Sequence, residues 1–134
     1  MRAFKIIKEK IDWVNVLKSI DNYDFYHTYD YHHLSKNENE EPILFHYVEG
    51  SIIIAIPFLL RKVFDTEFYD LTSVYGYAGP LTKSVDQGFN NSRFLEQFNT
   101  FLVEHKIVCI FSRLHPYLHD QSICLLYTSD AADD

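Results

Sequence analysis

The spacing of apolar positions changes repeatedly along the chain, and each change predicts an element. FKIIK (4–8) is a short apolar run of strand type. Trp13, Val16, Leu17 and Ile20 then recur at three and four residues, which predicts a helix over 13–20 with Asp12 as its N-cap. In NYDFYHTYDYHHL (22–34), Phe25, Tyr29 and His32 or His33 fall on one side at intervals near four, predicting a second short helix. SKNENEE (35–41) is a polar loop ending at Pro42.

From Pro42 the pattern becomes β-branched and aromatic. PILFHYV (42–48) and SIIIAIPFLLRKV (51–63) flank Glu49-Gly50, the mark of a two-residue hairpin turn. Pro57 has no N–H for a ladder, so this reading expects it on an edge or at a bulge. FYDLT (68–72) is a further short strand, followed by the loop within DLTSVYGYAGPLTK (70–83). Helical spacing returns at Phe94, Leu95, Phe98, Phe101 and Leu102, predicting a helix within 89–106 capped by Asn91 or Ser92. IVCIFSRL (107–114) is continuously apolar at its start and predicts a buried strand, with HPYLHDQS as the loop after it. The order β-α-α-β-β-(β)-loop-α-β predicts an α/β or α+β layer fold.

Composition narrows the class. A chain of 134 residues, 47% hydrophobic and 16% aromatic, is one globular domain. Its formal net charge of −7, with no basic block, argues against DNA or any nucleic-acid backbone as main partner. SIIIAIPFLL (51–60) is too short to cross a bilayer and the N-terminus lacks a signal peptide's apolar core, so the chain reads as soluble and cytoplasmic, with no transmembrane segment. Residues 124–134, CLLYTSDAADD, resemble the in-frame translation of a transposase adapter used in sequencing libraries. On that reading they are a non-native tail, the natural frame is cut near Ile123, and residues 1–123 are an incomplete front part of a longer protein. The alternative is a frayed natural C-terminus.

Several chemistries lose ground on inspection. His27, His32 and His33 do not share one helix face and no HExxH is present, so aromatic packing is the better account of the 23–33 cluster than a metal site. Cys109, inside IVCIF, is expected to be a core thiol. Asp70, Thr72 and Ser73 lack a nucleophile elbow, and GYAGP (76–80) lacks the lysine and serine of a phosphate loop. Tyr75 and Tyr77 alternate around Gly76; they form one wall of a site if the loop is extended, or pack beneath it on the helix that follows. Arg113 and His115 sit at the end of a strand, where ligands of α/β sheets bind; they are either an anion holder and a proton donor or base, or a solvated strand end.

Taken in order, W-x-x-(V/L) near the start, the aromatic-rich helix, EPILFHYVEGSIIIAIPFLLR, DLTSVYGYAGPL, the F-x-x-F helix and VCIFSRLHP resemble the N-terminal part of the FemAB-like branch of the GNAT acyltransferase superfamily, over residues 4–119. The resemblance implies a truncated GNAT-like mixed sheet with flanking helices. It implies a parent enzyme that moves an acyl or aminoacyl group from acyl-CoA or aminoacyl-tRNA to an amine on a cell-envelope (peptidoglycan) or sugar-linked acceptor. It also implies an acceptor cleft lined by Tyr75, Gly76, Tyr77, Gly79 and Pro80 from the loop and by Arg113, His115 and Pro116 from the strand end. The pyrophosphate signature (Q/R)-x-x-G-x-(G/A) is not found in these residues, so this chain is expected to bind no cofactor and to be inactive alone, its donor site lying in a missing C-terminal domain. Catalytic residues are unassigned. The rival reading is a non-catalytic sugar- or peptide-binding module. A truncated domain is also expected to leave a sheet edge and apolar surface uncovered.

Overall fold

The structure is a computed structural model that describes residues 3–20, 23, 25–72, 80–85 and 88–111, the side chains of Tyr26 and Phe111 excepted. The chain is a mixed α+β fold: six strands in one sheet with helices on both faces. Strands β1 (Phe4–Ile7), β2 (Glu40–Glu49) and β3 (Ile52–Lys62) run antiparallel in sequence. β4 (Tyr69–Thr72) and β5 (Leu81–Lys83) both pair antiparallel with β3 on its other side, and β6 (Ile107–Phe111) adds parallel to β4. Helices α1 (Lys10–Ile20) and α2 (Tyr29–Ser35) pack on one face and α3 (Ser92–Glu104) on the other.

Strand alternation sorts the core into two. Ile43, Phe45 and Tyr47 of β2 and Ile54, Ile56 and Phe58 of β3 point to α3 and meet Phe94, Phe98 and Phe101. Leu44, Ala55 and Leu81 point the other way and meet Trp13, Val16, Leu17 and Ile20 of α1.

Several elements differ from the sequence reading. Helix α1 begins at Lys10, so Asp12 lies in the first turn instead of capping it, where its charge suits the positive end of the helix. The predicted helix over 22–34 divides into a 3₁₀ turn (Phe25–His27) and α2, because the Thr28 hydroxyl accepts from the Tyr31 N–H at 3.2 Å and starts a new helix there. At α3 the N-cap is Asn91, one of the two residues predicted, and Asn90 Oδ1 accepts from the Ser92 N–H at 3.0 Å. The hairpin turn is Gly50-Ser51, since Glu49 pairs with Ile52; Gly50 has φ 61°, the positive value a type II′ turn requires at its first position.

Pro57 is neither on an edge nor at a bulge. It lies inside β3, paired with Leu44 of β2. On the other side of β3 the neighbour is interrupted: β5 covers 53–55 and β4 covers 59–62, leaving 56–58 without a strand partner among the described residues. A residue without an N–H sits in that gap at no cost to a ladder. β4 and β5 thus lie along the same side of β3 as two halves of one interrupted strand.

The predicted burial of the strand at 107–114 is corrected too. Residues 112–114 lie outside the described residues; β6 over Ile107–Phe111 is an open edge among the described residues, with Val108 62% and Ile110 39% exposed. Cys109, expected in the core, is exposed for the same reason. Among the described residues no helix is long and apolar enough to cross a membrane.

Candidate functional site

Two parallel strands fix the position of the site. β4 and β6 pair with Leu71 opposite Ile110 and Thr72 opposite Phe111, so their carboxyl ends are level. Residues 73–79 follow directly from Thr72, and 112–116 follow from Phe111. The last described residues before two segments far apart in sequence are therefore register neighbours, at the strand ends where α/β sheets collect ligands. Of the predicted site residues, Tyr75, Gly76, Tyr77, Gly79, Arg113, His115 and Pro116 lie outside the described residues, as do Ser73 and the 124–134 tail. Pro80 is described: it is buried and leads into β5, where Leu81 pairs with Ala55.

Behind these strand ends, on the α1/α2 face, runs a transverse charged row that the sequence reading missed. Register places Glu40 opposite Arg61, Arg61 opposite Asp70, and Asp70 opposite Cys109. The Arg61 Nε–H donates to Asp70 Oδ1 at 2.7 Å, and Nη1 lies 3.8 Å from Glu40 Oε2. Buried Glu40 also accepts from the Asn37 N–H at 2.8 Å. The hydrogen bond to Asp70 raises the Arg61 pKa above its ordinary value, with the charges of Asp70 and Glu40 acting the same way. Asp70, which sequence reading considered beside Thr72 and Ser73, is thus committed to an ion pair that ties β4 to β3. The signal available in the sequence was hairpin counting, which aligns Glu40 with Arg61 once the turn is fixed at Gly50-Ser51.

The histidine cluster serves packing. Trp13 is fully buried and its Nε1–H donates to the His27 carbonyl at 3.0 Å. The His32 ring lies 5.3 Å from Trp13, and its Nδ1 is 2.9 Å from the Thr28 carbonyl, which makes Nδ1 the protonated nitrogen. Burial pulls the His32 pKa down to about 4; the Thr28 carbonyl opposes this and the nearby His27 adds to it. Tyr29 meets Trp13 edge-on at 5.4 Å and stacks on His33 at 5.7 Å. Together these rings dock α2 on α1. Among the described residues no group of three or more histidines, cysteines or carboxylates is arranged to hold a metal.

A cavity of about 510 Å³ lies elsewhere among the described residues, on the α3 face at the amino ends of β4 and β6. Sequence reading gave no hint of it, because it joins residues of β2, β3 and β4 with the α3 C-terminus and the connecting segments around them. No family model matches the chain, and neither a curated protein nor a solved structure matches it.

Proposed function

We propose that the chain is the acceptor-binding part of an acyltransferase that acts in the cytoplasm on an amine-bearing cell-envelope or sugar-linked acceptor. The observation that carries this reading is the level exit of β4 and β6. The two segments whose motifs resemble the acceptor cleft of FemAB-like enzymes, the tyrosine-glycine loop and the Arg113–Pro116 strand end, depart from paired residues, Thr72 and Phe111. The ordered resemblance of the motifs supports the same reading.

In such a transfer the acceptor nitrogen attacks the donor carbonyl, an amide bond forms, the thioester or ester bond breaks, and the amine proton is lost. Binding and orientation of the amine beside that carbonyl supply a large part of the rate. Tyr75 and Tyr77 supply apolar walls with polar tips, and Arg113 supplies a fork for an acceptor carboxylate. The donor, acyl-CoA or aminoacyl-tRNA, belongs to a further domain of the parent protein, and this chain alone is inactive.

An amide-resolved NMR titration with a lysine-bearing peptidoglycan stem peptide tests the proposal. Saturable shifts at Thr72, Leu81 and Phe111, weakened about tenfold by Arg113→Ala, are the expected result. Equal binding of the same peptide with its amine acetylated would favour a simple binding module over an acyl acceptor site. Tight binding of acetyl-CoA to this chain would overturn the assignment of the donor site to another domain.

A further inference from the structure

We propose that the groove at the amino ends of β4 and β6 is a second binding site, for an uncharged saccharide. It lies at the opposite ends of these two strands from the acceptor-site segments, so the two proposals stand or fall separately. Its volume of about 510 Å³ lies within the usual range for small-molecule sites. Leu60 and Tyr69 provide apolar lining, and charged side chains surround them.

The charges on the groove decide the ligand class. Lys8, Lys62 and Lys106 balance Glu41, Glu67 and Glu104, so the groove offers no net field to an ion of either sign. Much of that charge is already paired: Lys8 with Glu41 at 3.5 Å and Lys106 with Glu67 at 3.4 Å. Pairs this exposed contribute little to stability, but they hold donors and acceptors in fixed directions around an aromatic ring. A polyhydroxylated ligand matches that combination. Its hydroxyls use the oriented polar groups, its C–H face lies on the Tyr69 ring, and it brings no charge that would have to be desolvated.

Two details of the backbone and one side chain sharpen the site. Lys106 has φ 55° just past the end of α3, a left-handed position that glycine usually takes. A lysine there puts a side chain on the groove. Its carbonyl also accepts from the Tyr69 N–H at 2.9 Å, fixing the base of the aromatic residue. His105 Nδ1 is 3.2 Å from the Phe101 carbonyl and its ring packs on Phe101 with centroids 4.9 Å apart. Nε2 is therefore the ring nitrogen left for a ligand hydroxyl.

The test is an amide-resolved NMR titration of the 134-residue chain with N,N′-diacetylchitobiose, which carries no charge. Saturable shifts confined to Lys62, Tyr69, His105 and Lys106, insensitive to added salt, are expected. Tyr69→Ala should weaken binding about tenfold or more, and the exposed Lys62→Gln, which leaves the core untouched, about threefold. Absence of saturable shifts, or both variants binding like the parent chain, would overturn the proposal. So would glycylglycine or inorganic phosphate moving the same amides at lower concentration than the saccharide, since either would assign the groove to a charged ligand.

Discussion

On the α3 face of the sheet, Phe45 has Phe4, Phe98 and Phe101 with ring centroids 5.0 to 5.2 Å away, and Phe94 at 6.2 Å. On the opposite face Trp13 is just as deeply buried, but its neighbours are a histidine ring, a tyrosine and a backbone carbonyl. The first face is held by shape and apolar area. The second mixes apolar burial with hydrogen bonds that depend on protonation, so its stability depends on pH and on single polar atoms. Both cover the same strands, because alternation sends neighbouring residues of β2 and β3 to opposite sides.

The largest effect should come from the dry face. Phe45→Ala removes the ring that the others surround, and should lower the unfolding free energy by about 3–5 kcal/mol, read as a lower urea midpoint at unchanged slope. An equally large loss from Leu44→Ala would erase the distinction between the faces.

Acid is the sharpest probe of the other face. The unfolded chain protonates His32 near 6.5, whereas the folded chain resists until about 4. The stabilising contribution of the neutral ring is therefore fully present above the unfolded value and is lost as pH falls through this window, on the order of 3 kcal/mol in total. Half-buried His46, lowered first by burial and then by Lys5, adds to the same slope. His32→Phe should flatten most of the pH dependence in a series of denaturation curves; an unchanged slope would mean that the ring is solvated.

Smaller effects follow on the same face. Thr28→Ala deletes the cap of α2 and should cost about 1 kcal/mol, seen as faster hydrogen exchange in residues 29–35. Asp70→Asn should cost below about 1 kcal/mol, because Arg61 is 45% exposed and keeps Glu40 nearby. A much larger cost would make the charged row a structural element of the sheet.

The two long helices and the central hairpin were legible because their signal is periodic. Trp13, Val16, Leu17 and Ile20 are all buried, as their spacing predicts, and so are Phe94, Phe98 and Phe101. What failed depended on neighbours. Moving the turn from Glu49-Gly50 to Gly50-Ser51 keeps every side chain on its face but shifts each cross-strand pair by two, which hides the pairing of Glu40 with Arg61. β5 is too short to show a pattern of its own, and it exists because β3 offers it an edge. The apolar run of β6 predicted burial from composition, but burial depends on what lies alongside. Of the residues proposed for the acceptor site only Pro80 is described, so the structure bears on that proposal through the flanks of the two segments.

The interruption opposite Pro57 has a consequence for how this fold can change. Thr72 and Leu81 are anchored at Leu59 and Ala55 of the same strand, about 13 Å apart along it. Whatever joins them need only span that interval. Doubling the length of such a connection costs only about 0.6 kcal/mol in closure entropy. The segment can therefore be lengthened, shortened or exchanged with little penalty to the framework, while the register of β3 holds its two ends in place. New recognition can be tried at this position by evolution, or by grafting, without first redesigning the core.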